Sequence, residues 1–267
     1  MTIITASAFW ALNFDEMAKH RPTYAIDNLG FGKSSRPMFS TDPLKAEEEY
    51  VETLEAWRKA VNIKKFYLVG HSMGGFLSFA YALKYPQNIQ HLILIDPWGI
   101  QEKPASKWPL KKVDLEHCLI YYSSLIGNPY LGLRLLGPFA YYAVYDICKN
   151  LINNFGEKVA DRNVWAEYLL QCNLRRPTGE SAFSSMMDTF FWAKYPMIKR
   201  IHDINKSLPM TFIYGDKSFI DAVDEKVVQK ARPKSYTKFH MIENCGHDIY
   251  VEKPDELSRL INEACKH

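Results

Sequence analysis

The chain is predicted to be an α/β protein with a mostly parallel central sheet, and three observations carry that prediction. Short apolar or β-branched runs alternate with segments of helical period. One run, Phe66-Tyr67-Leu68-Val69, passes at once through Gly70-His71-Ser72-Met73-Gly74-Gly75 into the helix-length segment Phe76-Leu77-Ser78-Phe79-Ala80-Tyr81-Ala82-Leu83. Finally, 267 residues with 47% hydrophobic and 14% aromatic content can bury a large core and still carry an insertion.

In chain order, Thr23-Tyr24-Ala25-Ile26-Asp27 reads as the first strand, closed by the breaker-rich loop Asn28-Leu29-Gly30-Phe31-Gly32-Lys33-Ser34-Ser35-Arg36-Pro37. Residues 47–62 read as an amphipathic helix, with Tyr50, Val51, Leu54, Trp57 and Val61 on one face. The glycine-flanked strand and its helix follow, the helix stopping before Pro86. His91-Leu92-Ile93-Leu94-Ile95-Asp96-Pro97 is the next buried strand. From about Gly99 the rhythm breaks. Residues 100–205 are expected to form a helical cap inserted between strands, punctuated by Gly127-Asn128-Pro129 and Gly137-Pro138 and rich in aromatics. Some of those aromatics form the cap's own core, and a minority face a pocket. Residues 1–99 and 206–267 then make the core. Its later strands are Met210-Thr211-Phe212-Ile213-Tyr214-Gly215 and Lys238-Phe239-His240-Met241-Ile242, and the last helix covers residues 254–265.

A formal charge of +3 is too slight to suggest nucleic acid as a partner. No apolar run approaches the ~18 residues of a membrane span and the N-terminus lacks the basic start of a signal peptide, so any membrane contact is expected to be peripheral and the location cytoplasmic. Five widely spaced cysteines with no C-x-x-C or Cys/His cluster are expected as reduced thiols, with no metal site.

The chemistry centres on Ser72. In Gly70-x-Ser72-x-Gly74, placed between a strand and a helix, the serine sits on a strained turn that projects it from the carboxyl end of a sheet. Gly70 and Gly74 keep that turn free of side chains, Gly75 lets the helix approach the strand, and Met73 N–H is free to hold an oxyanion. A serine hydroxyl needs a base, and the base needs a carboxylate that fixes its tautomer. His247, after a strand and Gly246 near the C-terminus, is the base. The acid is expected after the strand at 210–214, where Asp216 and Asp221 lie. Asp216 reads as a turn residue and Asp221 is favoured, with Asp96 a substitute. Three residues after Gly215, where many such proteins place the acid, stands Ser218.

The chain resembles the α/β-hydrolase superfamily, and within it the abhydrolase-domain-containing proteins four and five. The resemblance rests on Trp10-Ala11-Leu12-Asn13-Phe14, Arg21-Pro22-Thr23-Tyr24-Ala25-Ile26-Asp27, Leu29-Gly30-Phe31-Gly32-Lys33-Ser34-Ser35-Arg36-Pro37, Gly70-His71-Ser72-Met73-Gly74-Gly75-Phe76-Leu77, Pro97-Trp98-Gly99 and Pro177-Thr178-Gly179-Glu180-Ser181-Ala182-Phe183. It implies Asp221 as acid and His247 as base. It also implies hydrolysis of acyl esters in lyso- or N-acylated phospholipids without a cofactor. Two alternatives come with it: a non-catalytic lipid-droplet coactivator of a triglyceride lipase, and an acyltransferase onto lysophosphatidic acid. For the transferase, the resemblance implies an H-x4-D pattern around the base, and Glu252, five residues beyond His247, stands where the aspartate would be. The resemblance further implies strands and a His-Gly-x-Gly oxyanion loop ahead of Trp10. This chain begins Met1-Thr2-Ile3-Ile4-Thr5-Ala6-Ser7, so about three strands and that loop are expected to be missing. Met1–Thr5 would supply a stub of one strand, and losing one oxyanion donor typically costs ~10²–10³ in turnover.

Overall fold

A computed structural model describes residues 7–104, 131–156, 161, 163–188 and 191–266. Four strands form its sheet in the order β1 (Phe66–His71), β2 (Ile89–Ile95), β3 (Met210–Gly215), β4 (Thr237–Ile242), and every pair is parallel. Before β1 come α1 (Ala11–Ala18) and α2 (Pro43–Ala60); α3 (Met73–Lys84) joins β1 to β2. Between β2 and β3 lie α4 (Leu131–Leu135), α5 (Ala140–Ile147), α6 (Lys149–Gly156), α7 (Asn163–Asn173) and α8 (Thr178–Met186). After β3 come α9 (Glu225–Ala231), then β4, α10 (Ile249–Glu252) and α11 (Pro254–Ala264).

The sheet is covered on both faces, and β2 shows how the sequence dictates this. Side chains alternate across a strand. Leu92 and Leu94 join the core cluster of Tyr50, Phe76, Phe79 and Phe183, which belongs to α2, α3 and α8. Ile93 and Ile95 join the opposite cluster of Phe9, Phe155, Trp165 and Ile261. A strand that is apolar at successive positions can only lie between two helical layers. The inserted helices contribute Val144, Leu151, Ile152, Phe155, Trp165 and Leu169 to the second cluster, where Phe155 and Trp165 stack with centroids 3.7 Å apart. Gly137-Pro138 does break the insertion: α4 ends before it and a 3-10 turn, Gly137–Phe139, leads into α5. The breaker Gly127-Asn128-Pro129 and the Met1–Thr5 stub lie outside the described residues.

Helix α2 begins earlier than its apolar face predicts. Asp42 caps it by accepting from Leu44 N–H (3.1 Å) and Lys45 N–H (2.9 Å), with Pro43 at the first position. Its buried Glu55 accepts two bonds from Arg58 at 2.8 Å each, one from the Tyr81 hydroxyl at 2.7 Å and one from Asn88 at 3.1 Å. The Arg58 bonds above all hold the Glu55 carboxyl at about 2, below its unfolded value of 4.5. A depressed carboxylate contributes stability that is present above the unfolded value and lost as pH falls. Urea denaturation of the native chain should therefore show stability dropping between about pH 4.5 and pH 2. Glu55→Gln should be less stable at pH 7 and flatten that slope; an unchanged slope would remove Glu55 from the account.

The run at 23–27 is extended but is not a strand, because no ladder partner lies beside it among the described residues. Strand propensity without a partner does not make a sheet. Between this run and the outer edge of β1 lies a groove of about 500 Å³, lined by Tyr24, Leu54, Trp57, Tyr67, Val69 and Gly74 among others. That groove explains why Leu54 and Trp57 on the apolar face of α2 are only half-buried. No described helix is long and apolar enough to cross a membrane.

Candidate active site

All the groups singled out by the sequence chemistry hang from the carboxyl ends of the parallel strands. Ser72 follows β1 directly and has φ +52° and ψ −122°, a conformation that L-residues adopt only when the surroundings force it. The surroundings do so from both sides. Ser72 N–H donates to Ile95 O (3.0 Å), and Ser72 O accepts from Gly75 N–H (2.9 Å), Trp98 N–H (3.1 Å) and Phe76 N–H (3.2 Å). Met73 opens α3, so its N–H precedes the intrahelical ladder and remains a donor.

The glycines divide the steric work unevenly. A Cβ on Gly70 would stand on the Gly74 carbonyl oxygen and the Ser78 hydroxyl, and one on Gly75 would sit 2.8 Å from Pro97 Cβ. A Cβ on Gly74 would meet nothing within 4 Å, because that position borders the groove. The expectation that Gly74 must be small is thus corrected; Gly70 and Gly75 carry the demand. Gly75→Ala should cost about 1–3 kcal/mol. Gly74→Ala should be neutral or gain about 0.5–1 kcal/mol from helix propensity. Paired urea denaturation curves would check both, and equal effects would contradict this division.

His247 is 8% exposed and lies in the loop after β4. Its carbonyl accepts from His71 Nε2 at 2.9 Å, and its ring lies 4.6 Å, centroid to centroid, from both His71 and Phe219. His247 therefore packs against the residue adjoining Ser72. Burial, and then the neighbouring His247, hold the His71 imidazole well below its ordinary value, so His71 is neutral and serves as a brace. The loop itself is tied at Gly246, whose N–H donates to Glu252 (2.7 Å), and at Cys245, whose N–H donates to Asp216 (3.0 Å). Asp216 is the turn residue expected of it.

The acid is where the sequence reading differs from the structure. His247 Nδ1 lies 2.5 Å from Asp96 Oδ2, and Asp96 is fully buried at the end of β2. Asp221 is exposed, and its backbone carbonyl accepts from Gln101 Nε2 at 2.7 Å. The geometry therefore assigns the imidazole's partner to Asp96 in place of Asp221. The loop after β3 turns Asp221 outward while β2 delivers Asp96 beneath the ring. Like Ser72, Asp96 has positive φ, +41°, and its N–H is fixed to Ile213 O at 2.7 Å. Burial pushes the Asp96 carboxyl up, opposed by hydrogen bonds from His247 and Ser218. The missed signal was a carboxylate closing an otherwise apolar strand, since a buried charge needs a partner.

The family described as "alpha/beta hydrolase fold" matches residues 4–117. Over 262 residues, 96% of this chain, it is 39% identical to the 1-acylglycerol-3-phosphate O-acyltransferase ABHD5 of Rattus norvegicus, covering 73% of that protein. It is 38% identical over 258 residues to the (lyso)-N-acylphosphatidylethanolamine lipase of Bos taurus, covering 96% of this chain and 75% of that one. A thermophilic esterase from Thermogutta terrifontis superposes with a TM-score of 0.65 at 19% identity, over 99% of this chain and 87% of the esterase.

Proposed function

The chain belongs to the α/β-hydrolase family, and on that premise we propose that it is a serine hydrolase cleaving acyl esters of lyso- and N-acylated phospholipids. The observation that carries the reading is the buried Asp96–His247 pair packed against the strained turn that presents Ser72. Ser72 Oγ attacks the acyl carbonyl while His247 Nε2 takes its proton. Asp96 holds Nδ1–H and stabilises the imidazolium that forms. The carbonyl oxygen, now an oxyanion, rests on Met73 N–H. Collapse expels the alcohol, which leaves with the proton from His247. Water then repeats the sequence, releasing the fatty acid and regenerating Ser72. The lipid class is supported by the named activities of the two relatives.

The test is fatty-acid release from lysophosphatidylethanolamine and N-acylphosphatidylethanolamine dispersed in neutral lipid vesicles, with Ser72→Ala as control. Release by the native chain alone supports the reading. No release from a chain shown to be folded would sink it and favour an adaptor role, which stimulation of a triglyceride lipase by Ser72→Ala would establish. One observation bears on transfer to lysophosphatidic acid, the activity named for the rat relative. Here the Glu252 carboxylate is engaged by Gly246 N–H at 2.7 Å and braces the loop of the base. An acyl acceptor other than water would then be selected elsewhere in the site.

A further inference from the structure

Asp96 Oδ2 receives two donors, and only one of them is explained by the triad. The second is the hydroxyl of Ser218, which lies in the turn after β3 and is 8% exposed. This hydroxyl is not free to rotate. Ile220 N–H donates to Ser218 Oγ at 3.1 Å, occupying a lone pair, and Ser218 N–H donates to Gly215 O at 3.1 Å, fixing the backbone. The hydroxyl proton is therefore aimed at Asp96. Meanwhile Asp96 Oδ1 is buried with no hydrogen-bond partner among the described residues. A carboxylate gripped by the imidazole alone could turn about its terminal bond and exchange its two oxygens. A second donor converging on Oδ2 from the β3 side blocks that rotation.

We propose that Ser218 is a positioning residue of the catalytic site, holding the Asp96 carboxylate in the plane and charge state that keep His247 aligned for Ser72. The proposal rests on the Ser72–His247–Asp96 reading given above. The hydroxyl acts in two ways. It fixes the direction in which Nδ1–H is held, and it disperses part of the carboxylate's negative charge. Without it, more charge on Oδ2 faces the ring and the imidazolium is favoured, so the base loses its proton at higher pH. Among the described residues, titratable groups near Asp96 and His247 include His71 at the end of β1, Tyr214 on β3, Cys245 before His247 and Asp248 after it. Removing the Ser218 hydroxyl changes none of them.

The experiment compares the native chain with Ser218→Ala and Ser218→Thr, by ester hydrolysis across pH and by NMR titration of the His247 ring. Ser218→Ala should lower kcat about tenfold with KM unchanged, the loss expected for one hydrogen bond to a charged group. The low-pH limb of kcat/KM and the His247 titration should both move to higher pH, and Ser218→Thr should restore both. In an Asp96→Asn background, Ser218→Asp should return at least about tenfold of the lost activity, because it places a carboxylate beside the position where the Oδ2 charge was lost. A folded Ser218→Ala variant with native kcat and native titration would overturn the proposal, as would a folded double variant with no gain. If the native chain hydrolyses no ester yet its His247 titration moves on removing the hydroxyl, the positioning role stands and the hydrolase reading fails. If it hydrolyses esters and nothing moves in the variant, the reverse holds.

Discussion

Ser72→Ala is expected to fold like the native chain and to lose about 10⁴–10⁶-fold in kcat for acyl-ester hydrolysis. The fold should survive because the turn is held by backbone groups: Ser72 N–H on Ile95 O, and the Ser72 carbonyl on three amides. Alanine keeps those bonds and bears the same strain at φ +52°. Activity should not survive, since among the described residues no other hydroxyl is held at that turn. Thermal unfolding of the variant within a degree or two of native, alongside abolished turnover, is the expected pair of results. Native turnover in the variant would remove Ser72 from the mechanism.

The second large effect separates two carboxylates. Asp96→Asn should lower kcat about 10⁴-fold, because an amide cannot stabilise the imidazolium and favours the wrong ring tautomer. Asp221→Asn should change it less than about threefold, as expected of an exposed side chain. The contrast matters more than either number. Equal losses in the two variants would mean that the acid role is shared or exchanged, and the reverse order would restore Asp221.

These two predictions also mark what the sequence made legible. The turn bearing Ser72 was readable because its requirements are local: a buried strand, a glycine where a Cβ has no room, and an apolar helix beginning at once. His247 was readable for a similar reason, since a strand and a glycine deliver it near the end of the chain. The carboxylate that meets its ring was not, because the loops after β2 and β3 end side by side at the carboxyl end of the sheet. Which carboxylate reaches Nδ1 depends on how the turn after β3 swings Asp221 away, a tertiary outcome with no local signature. Ser218, standing three residues after Gly215, was a partial signal, and its hydroxyl is bonded to Asp96. The run at 23–27 shows the opposite error. Its β-branched and aromatic residues predict a strand, yet pairing needs a neighbour, and the described neighbour on that side is a groove. The start of α2 at Pro43 was written in Asp42-Pro43, a cap that apolar periodicity overlooks.

The most direct measurement of the central claim is covalent labelling of the folded native chain with a fluorophosphonate, followed by peptide mapping. A phosphonyl group can be retained only by a nucleophile activated by a base. The account predicts one adduct, on Ser72, lost in Ser72→Ala and formed far more slowly in Asp96→Asn. A folded chain that takes up no label, or takes it up on another residue, would contradict it.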